Sequence, residues 1–180
     1  MCTQFPEIKK NFGFGMMRLP MCGEAVDLST TEKMVDAFMA AGFNYFDTAH
    51  PYIQGKSELA VKESLTSRYP RESYVLTNKL TYGAYKTEEE IRPLFQKQLE
   101  ACGVEYFDFC LHHALSRERY ETIKALNAFE IMKEFKAQGK IRHIGMSFHD
   151  NAEALDYILS NQPEIEVVQL QINYVDWEDP

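Results

Sequence analysis

The sequence has no stretch of about 18 consecutive apolar residues, so no helix is predicted to cross a membrane. It has no basic stripe. Lysines and arginines are dispersed, with only Lys9 and Lys10 adjacent, in a chain of net charge −8, a poor match for the phosphates of nucleic acid or an anionic membrane surface. Cysteine is scarce. Cys2, Cys22, Cys102 and Cys110 include no C-x-x-C pair, so no metal or iron–sulfur site is expected, and all four read as reduced thiols, some in the core. The opening residues, MCTQFPEIKKNFGFG, lack the apolar core of a secretory leader. Linkers and low-complexity tracts are also missing. Together these absences predict a cytoplasmic protein, with neither nucleic acid nor membrane as a partner, built as one domain over residues 1–180.

What is present is an alternation. Five short runs are apolar, β-branched or aromatic, as suits buried parallel strands: 43–48, 73–79, 106–112, 141–147 and 166–172. They begin 25 to 35 residues apart, the length of a strand–helix unit. Amphipathic helices fill the gaps. Ser29-x-x-Glu32 and Thr87-x-x-Glu90 read as capping boxes, with Gly42 and Gly103 as left-handed stops. Ser57 is predicted to cap a helix over 58–67, a long helix is predicted over roughly 120–138, and Asp150 or Asn151 to cap one over 152–160. Residues 1–28 read as a loop or hairpin preceding units at 29–180. The pattern predicts a parallel α/β protein, either doubly wound or a barrel.

In a (β/α)₈ barrel the working residues collect at the C-terminal ends of the strands. Here those ends carry Asp47, with Tyr52 in the next loop, then Lys79, His112 and His113, Ser147, and Gln169 with Asn173. Such a set has a chemistry. A tyrosine is a weak acid, with an ordinary pKa of about 10. A neighbouring ammonium favours its phenolate, and an aspartate would hold that lysine charged and in place. The tyrosine could then protonate a developing alkoxide, with a histidine orienting the carbonyl oxygen. No side chain supplies the hydride, so a hydride-carrying cofactor is required.

The stretch NYFDTAHPYIQGKSE resembles the aldo-keto reductase family, through Asp47-Thr48-Ala49, Tyr52 five residues after the aspartate, and Gly55-Lys56-Ser57-Glu58. YVLTNKL, LEACGVEYFDFCLHHAL, GKIRHIGMSFHD and VVQLQINY resemble later segments of the same family, in family order. The resemblance implies a (β/α)₈ TIM barrel, here truncated after about five strands. It implies an enzyme reducing aldehyde or ketone carbonyls with NADPH or NADH, without a metal in this segment. Asp47, Tyr52, Lys79 and His113 would be the catalytic residues. Gly15, Met16, Arg18, Asp47, Ser147 and Gln169 would bind the cofactor, with Gly15 and Met16 beneath the nicotinamide and Arg18 nearby. The wording MMRLP and SFHD looks most like a bacterial branch that often carries a C-terminal ferredoxin-like region.

Two departures stand out. Phe148 replaces the family asparagine after the signature serine, and His112 occupies a usually aliphatic position. A full barrel needs about 250 residues, so the chain reads as a fragment, with a missing C-terminal half-barrel or self-association completing it. A non-catalytic regulatory protein and an inactive truncated fragment are the alternatives. A P-loop is excluded, because position 50 is His50 where the phosphate cradle needs glycine. Met16, Met17, Met34 and Met39 read as core filler. His143 and His149 are expected to face solvent or a helix start.

Overall fold

A computed structural model describes residues 4–173, so Cys2 lies outside the described residues. The chain runs β1 (Gly13–Gly15), β2 (Met21–Cys22), β3 (Ala25–Val26), α1 (Leu28–Ala40), β4 (Tyr45–Asp47), α2 (Lys56–Val61), β5 (Val75–Thr81), α3 (Glu88–Cys102), β6 (Phe107–Leu115), α4 (Arg117–Ala125), α5 (Ala128–Ala137), β7 (Ile141–Phe148), α6 (Ala152–Asn161) and β8 (Val167–Leu170). One sheet contains six parallel strands in the order β1-β4-β5-β6-β7-β8, and β2 and β3 form a separate antiparallel hairpin.

The sheet holds one strand more than the five predicted. Gly13, Phe14 and Gly15 pair in parallel with Tyr45, Phe46 and Asp47. A three-residue strand that is two-thirds glycine carries no apolar run, so it read as loop. It forms because β4 offers it a free edge.

The sheet curls into part of a barrel. β4 and β8 are four strand steps apart, about 19 Å in a flat sheet at about 4.8 Å per step. Yet Gln169 Nε2 of β8 donates to Asp47 Oδ2 of β4 at 3.3 Å. Alternation then divides the apolar residues. Val75, Phe109 and Leu111 fill the inside, closed at one end by Phe5 and Ile8. The larger core, including Phe46, Leu76, Cys110, Ile144 and Met146, lies between the sheet and the helices. Gly145 marks the tightest inner contact. A Cβ there would lie 2.4 Å from Val167 Cγ1 and 2.6 Å from Leu111 Cδ2, so only glycine fits.

Several predicted helix details are corrected. Asp27, rather than Ser29, caps α1, its Oδ1 accepting from Thr30 N at 3.0 Å. Thr87 stands at the start of α3 without a side-chain capping bond. Ser57 lies inside α2 rather than at its cap, because its hydroxyl is drawn to Met16 O. The long helix over 120–138 is two helices, α4 and α5, broken where Asn127 adopts φ 59°. The α6 cap is one of the two residues predicted, Asn151, which accepts from Ala154 N at 2.9 Å.

Candidate active site

β4 ends at Asp47, and β5 passes beside it in register Asp47↔Thr77, which carries Lys79 one inward position further. Lys79 is 1% exposed. Its Nζ donates to Asp47 Oδ1 at 2.6 Å, Asp47 Oδ2 at 2.8 Å and Thr48 O at 2.9 Å. All three ammonium hydrogens therefore have acceptors, which is how a buried charge is tolerated.

After Thr48 the chain leaves the sheet in a tight turn. Ile53 and Gln54 both have positive φ, 51° and 57°, a sparsely populated region for non-glycine residues. The turn lays the ring of Tyr52 against the lysine: Lys79 Nζ sits 4.7 Å from the ring centroid. The ammonium thus meets the ring face. On the other side, Tyr52 stands edge-on to His113 with centroids 5.8 Å apart.

Strand alternation separates the two histidines of β6. His113 faces the inside, where its Nδ1 is 2.8 Å from Thr81 Oγ1. His112 faces the helices, fully buried with its ring 4.1 Å from that of Phe129, and neither of its nitrogens has a hydrogen-bond partner. Burial, followed by the nearby positive charges of Lys79, His149 and Arg119, pushes His113 down to about 4. Burial alone pushes His112 down to about 3. Past His113 the strand bulges, with Ala114 at φ 55° and a register shift against β7. The bulge turns Ala114 N onto Ser147 Oγ at 2.7 Å.

These groups share one cavity of about 390 Å³, lined by Met17, Arg18, Tyr52, Lys79, His113, Ser147, His149, Gln169 and neighbours. Gly15 and Asp47 do not line it; they border a second cavity of about 460 Å³ inside the curl, with Phe5, Tyr45, Phe109 and Val167, and Gln169 lines both. Met16 is fully buried. It reaches the site only through its backbone, N to Asp47 O and O to Ser57 Oγ. Phe148 packs in the outer core and offers no polar group. His149 was missed as a cavity residue: it lies two positions after Ser147, on the same strand parity, and that spacing was the available signal. His143 does not face solvent but lies between Glu7 and Glu166, 2.9 Å from each.

A family model described as the Aldo/keto reductase family matches residues 11–180. An oxidoreductase of Schizosaccharomyces pombe is 31% identical over 146 residues, 72% of this chain and 43% of that protein. The NADH-specific methylglyoxal reductase of Escherichia coli is 28% identical over 152 residues, 75% of this chain and 45% of that one. The chain thus spans about half the length of the curated relatives it matches. Among solved structures, an aldo-keto reductase from Klebsiella pneumoniae in complex with NADPH superposes with a TM-score of 0.69 at 19% identity, over 89% of this chain and 53% of that one. The holo form of one from Bacillus halodurans gives 0.71 at 24% identity, over the same shares.

Proposed function

We propose a function from one premise: the chain belongs to the aldo/keto reductase family, whose model matches residues 11–180. The reading is an NAD(P)H-dependent oxidoreductase that reduces the carbonyl of a small aldehyde or ketone to an alcohol. The observation that carries it is the convergence of Tyr52, Lys79 and His113 on one cavity, with Asp47 ion-paired to that lysine from behind.

The residues present fit a nicotinamide. Its carboxamide offers one acceptor and two donors. Ser147 accepts from Ala114 N and keeps its hydroxyl hydrogen to donate. Gln169 spends its Nε2 on Asp47 and keeps its carbonyl oxygen to accept. Gly15 and Arg18 are assigned to the same cofactor, whose chemical contribution is the hydride. The residues of the chain manage the proton and the carbonyl oxygen. Tyr52 donates the proton, aided by the lysine charge over its ring. Asp47 fixes that charge. His113 is neutral at pH 7, being depressed to about 4. In the tautomer this reading requires, Thr81 donates its hydroxyl to Nδ1 and Nε2 carries the hydrogen for the carbonyl oxygen.

The closed barrel of this kind has eight strands, and six are described here. Phe12, Leu170 and Ile172 are exposed near the open edges, at 66%, 44% and 76%. This supports a second part of the reading, that the active unit is completed by further strands, from additional chain or from another copy.

The test is NADPH oxidation with a panel of small aldehydes. Tyr52→Phe removes only the proton donor and is expected to lower turnover by about 10²- to 10⁴-fold with the fold intact. Equal turnover in the variant would rule out Tyr52 as the acid.

A further inference from the structure

The strongest unexplained feature outside the cavity is a buried carboxylate. Glu58 of α2 is 1% exposed and has no arginine or lysine partner among the described residues. Its oxygens accept three N–H groups from three different segments. His50 Nδ1 donates to Oε2 at 2.9 Å, Asn78 Nδ2 to Oε1 at 2.9 Å, and Gln98 Nε2 to Oε1 at 3.2 Å.

The placement has a backbone cause. In β5, Thr77 and Lys79 face their backbone groups toward β4. Thr77 O is taken by Thr48 N, but beyond Thr48 the chain turns away, so Lys79 has no ladder partner on that side. A buried unpaired amide is costly. The polar cluster replaces the missing strand: Asn78 Oδ1 accepts from Lys79 N at 2.7 Å, and Gln98 Nε2 donates to Lys79 O at 2.9 Å. Glu58 is the hub that orients both amides. Through His50 it also grips the turn two residues before Tyr52. Its neighbour Ser57 ties Thr48 and Met16 O to the same helix, at 2.7 and 2.9 Å.

We propose that Glu58 is a positioning residue for carbonyl reduction: its carboxylate, through Asn78, Gln98 and His50, sets the Lys79 ammonium against the Tyr52 ring. This rests on the reductase reading above. Glu58 touches neither substrate nor cofactor. It acts by holding the proton donor and the charge beside it in one geometry, where small displacements are costly to rate.

The experiment compares wild type, Glu58→Gln and Gln98→Met in the NADPH-loaded enzyme. Glu58→Gln keeps size, removes the charge and replaces one acceptor oxygen by an N–H, which only a tautomer switch of His50 could accept. The expected result is a fall in kcat of about 10- to 100-fold per folded molecule, with KM for the aldehyde and Kd for NADPH unchanged. Unchanged kcat, or kcat, KM and Kd shifting together, would overturn the proposal in favour of a structural role. ¹³C NMR signals of the Tyr52 ring, assigned with Tyr52→Phe, are read alongside. In Glu58→Gln they are expected to move toward their positions in Lys79→Met, and coincidence with wild type would overturn the proposal. If wild type shows no turnover, which an uncompleted barrel would also give, the ring signals alone decide the positioning. Should Glu58→Gln not fold, Gln98→Met carries the same readouts, since it leaves Glu58 two donors and removes the bond to Lys79 O.

Discussion

Lys79 and Asp47 form the ion pair on which the proposed chemistry turns, and the environment of each is unequal. The lysine is 1% exposed and the aspartate side chain 14%. Neutralising the aspartate as asparagine removes the counter-charge and one acceptor, leaving the buried ammonium with neutral carbonyl oxygens only. Asp47→Asn is therefore expected to destabilise the chain by about 3–5 kcal/mol in urea unfolding, as for other broken buried pairs. A loss under about 1 kcal/mol would be that of a solvated pair and would contradict the burial. His113 gives a pH expectation. Because it is depressed to about 4, it is already neutral near pH 6, so turnover should show no histidine step between pH 6 and 8. Such a step, lost in His113→Asn, would show that the imidazole titrates where the reading has it neutral.

At the scale of the element, β6 shows how one strand serves two layers. His113 faces the cavity and His112 the helices, where it is fully buried with both nitrogens unpartnered. Its depression to about 3, from an ordinary value of about 6.5, means that the unfolded chain binds the extra proton between those limits. This group therefore weakens the fold progressively as pH falls through that window and adds no pH dependence above it. His112→Leu should match or exceed wild type in stability at pH 7, because no orphaned polar atoms remain. Its advantage should grow by up to about 1.4 kcal/mol per pH unit toward pH 4. Melting curves of both at pH 7, 5.5 and 4 check this, and parallel losses would show that His112 has a partner. β7 carries a second expectation. Gly145→Ala forces a Cβ against Val167 and Leu111 and should cost about 1–3 kcal/mol by overpacking, read from the same melts.

At the scale of the whole molecule, the described residues form a curled sheet whose edges are β1 and β8, with apolar side chains beside them. Such edges are templates for further pairing. At rising micromolar concentration the chain is expected to associate, seen as an increasing sedimentation coefficient. Phe12→Asp with Ile172→Asp should suppress this without lowering the melting temperature, as both side chains are mostly exposed. A monomer at all concentrations would argue against self-completion and leave additional chain as the source of the missing strands.

The strand–helix alternation, the presence of the strands β4 to β8 and the polar residues at their ends were legible in the sequence, because period and strand-end chemistry are local properties. Gly42 and Gly103 stop their helices for the same local reason, with φ of 82° and 66°. The α1 cap is Asp27 rather than Ser29: two candidate oxygens lie within three residues, and it is Asp27 Oδ1 that accepts from Thr30 N. β1 escaped notice because its residues carry no strand signal and depend on a neighbour 32 positions away. The Glu58 cluster was likewise invisible, since a residue's membership of a buried network depends on which segments meet there. Sequence alone determined the repeating unit and the residues that end each strand. Tertiary structure decided how far the sheet curls, bringing Asp47 and Gln169 into contact across 122 residues, and which of two adjacent histidines faces inward. Local preferences act within a few residues along the chain, whereas curl and facing are settled only when distant strands share one register.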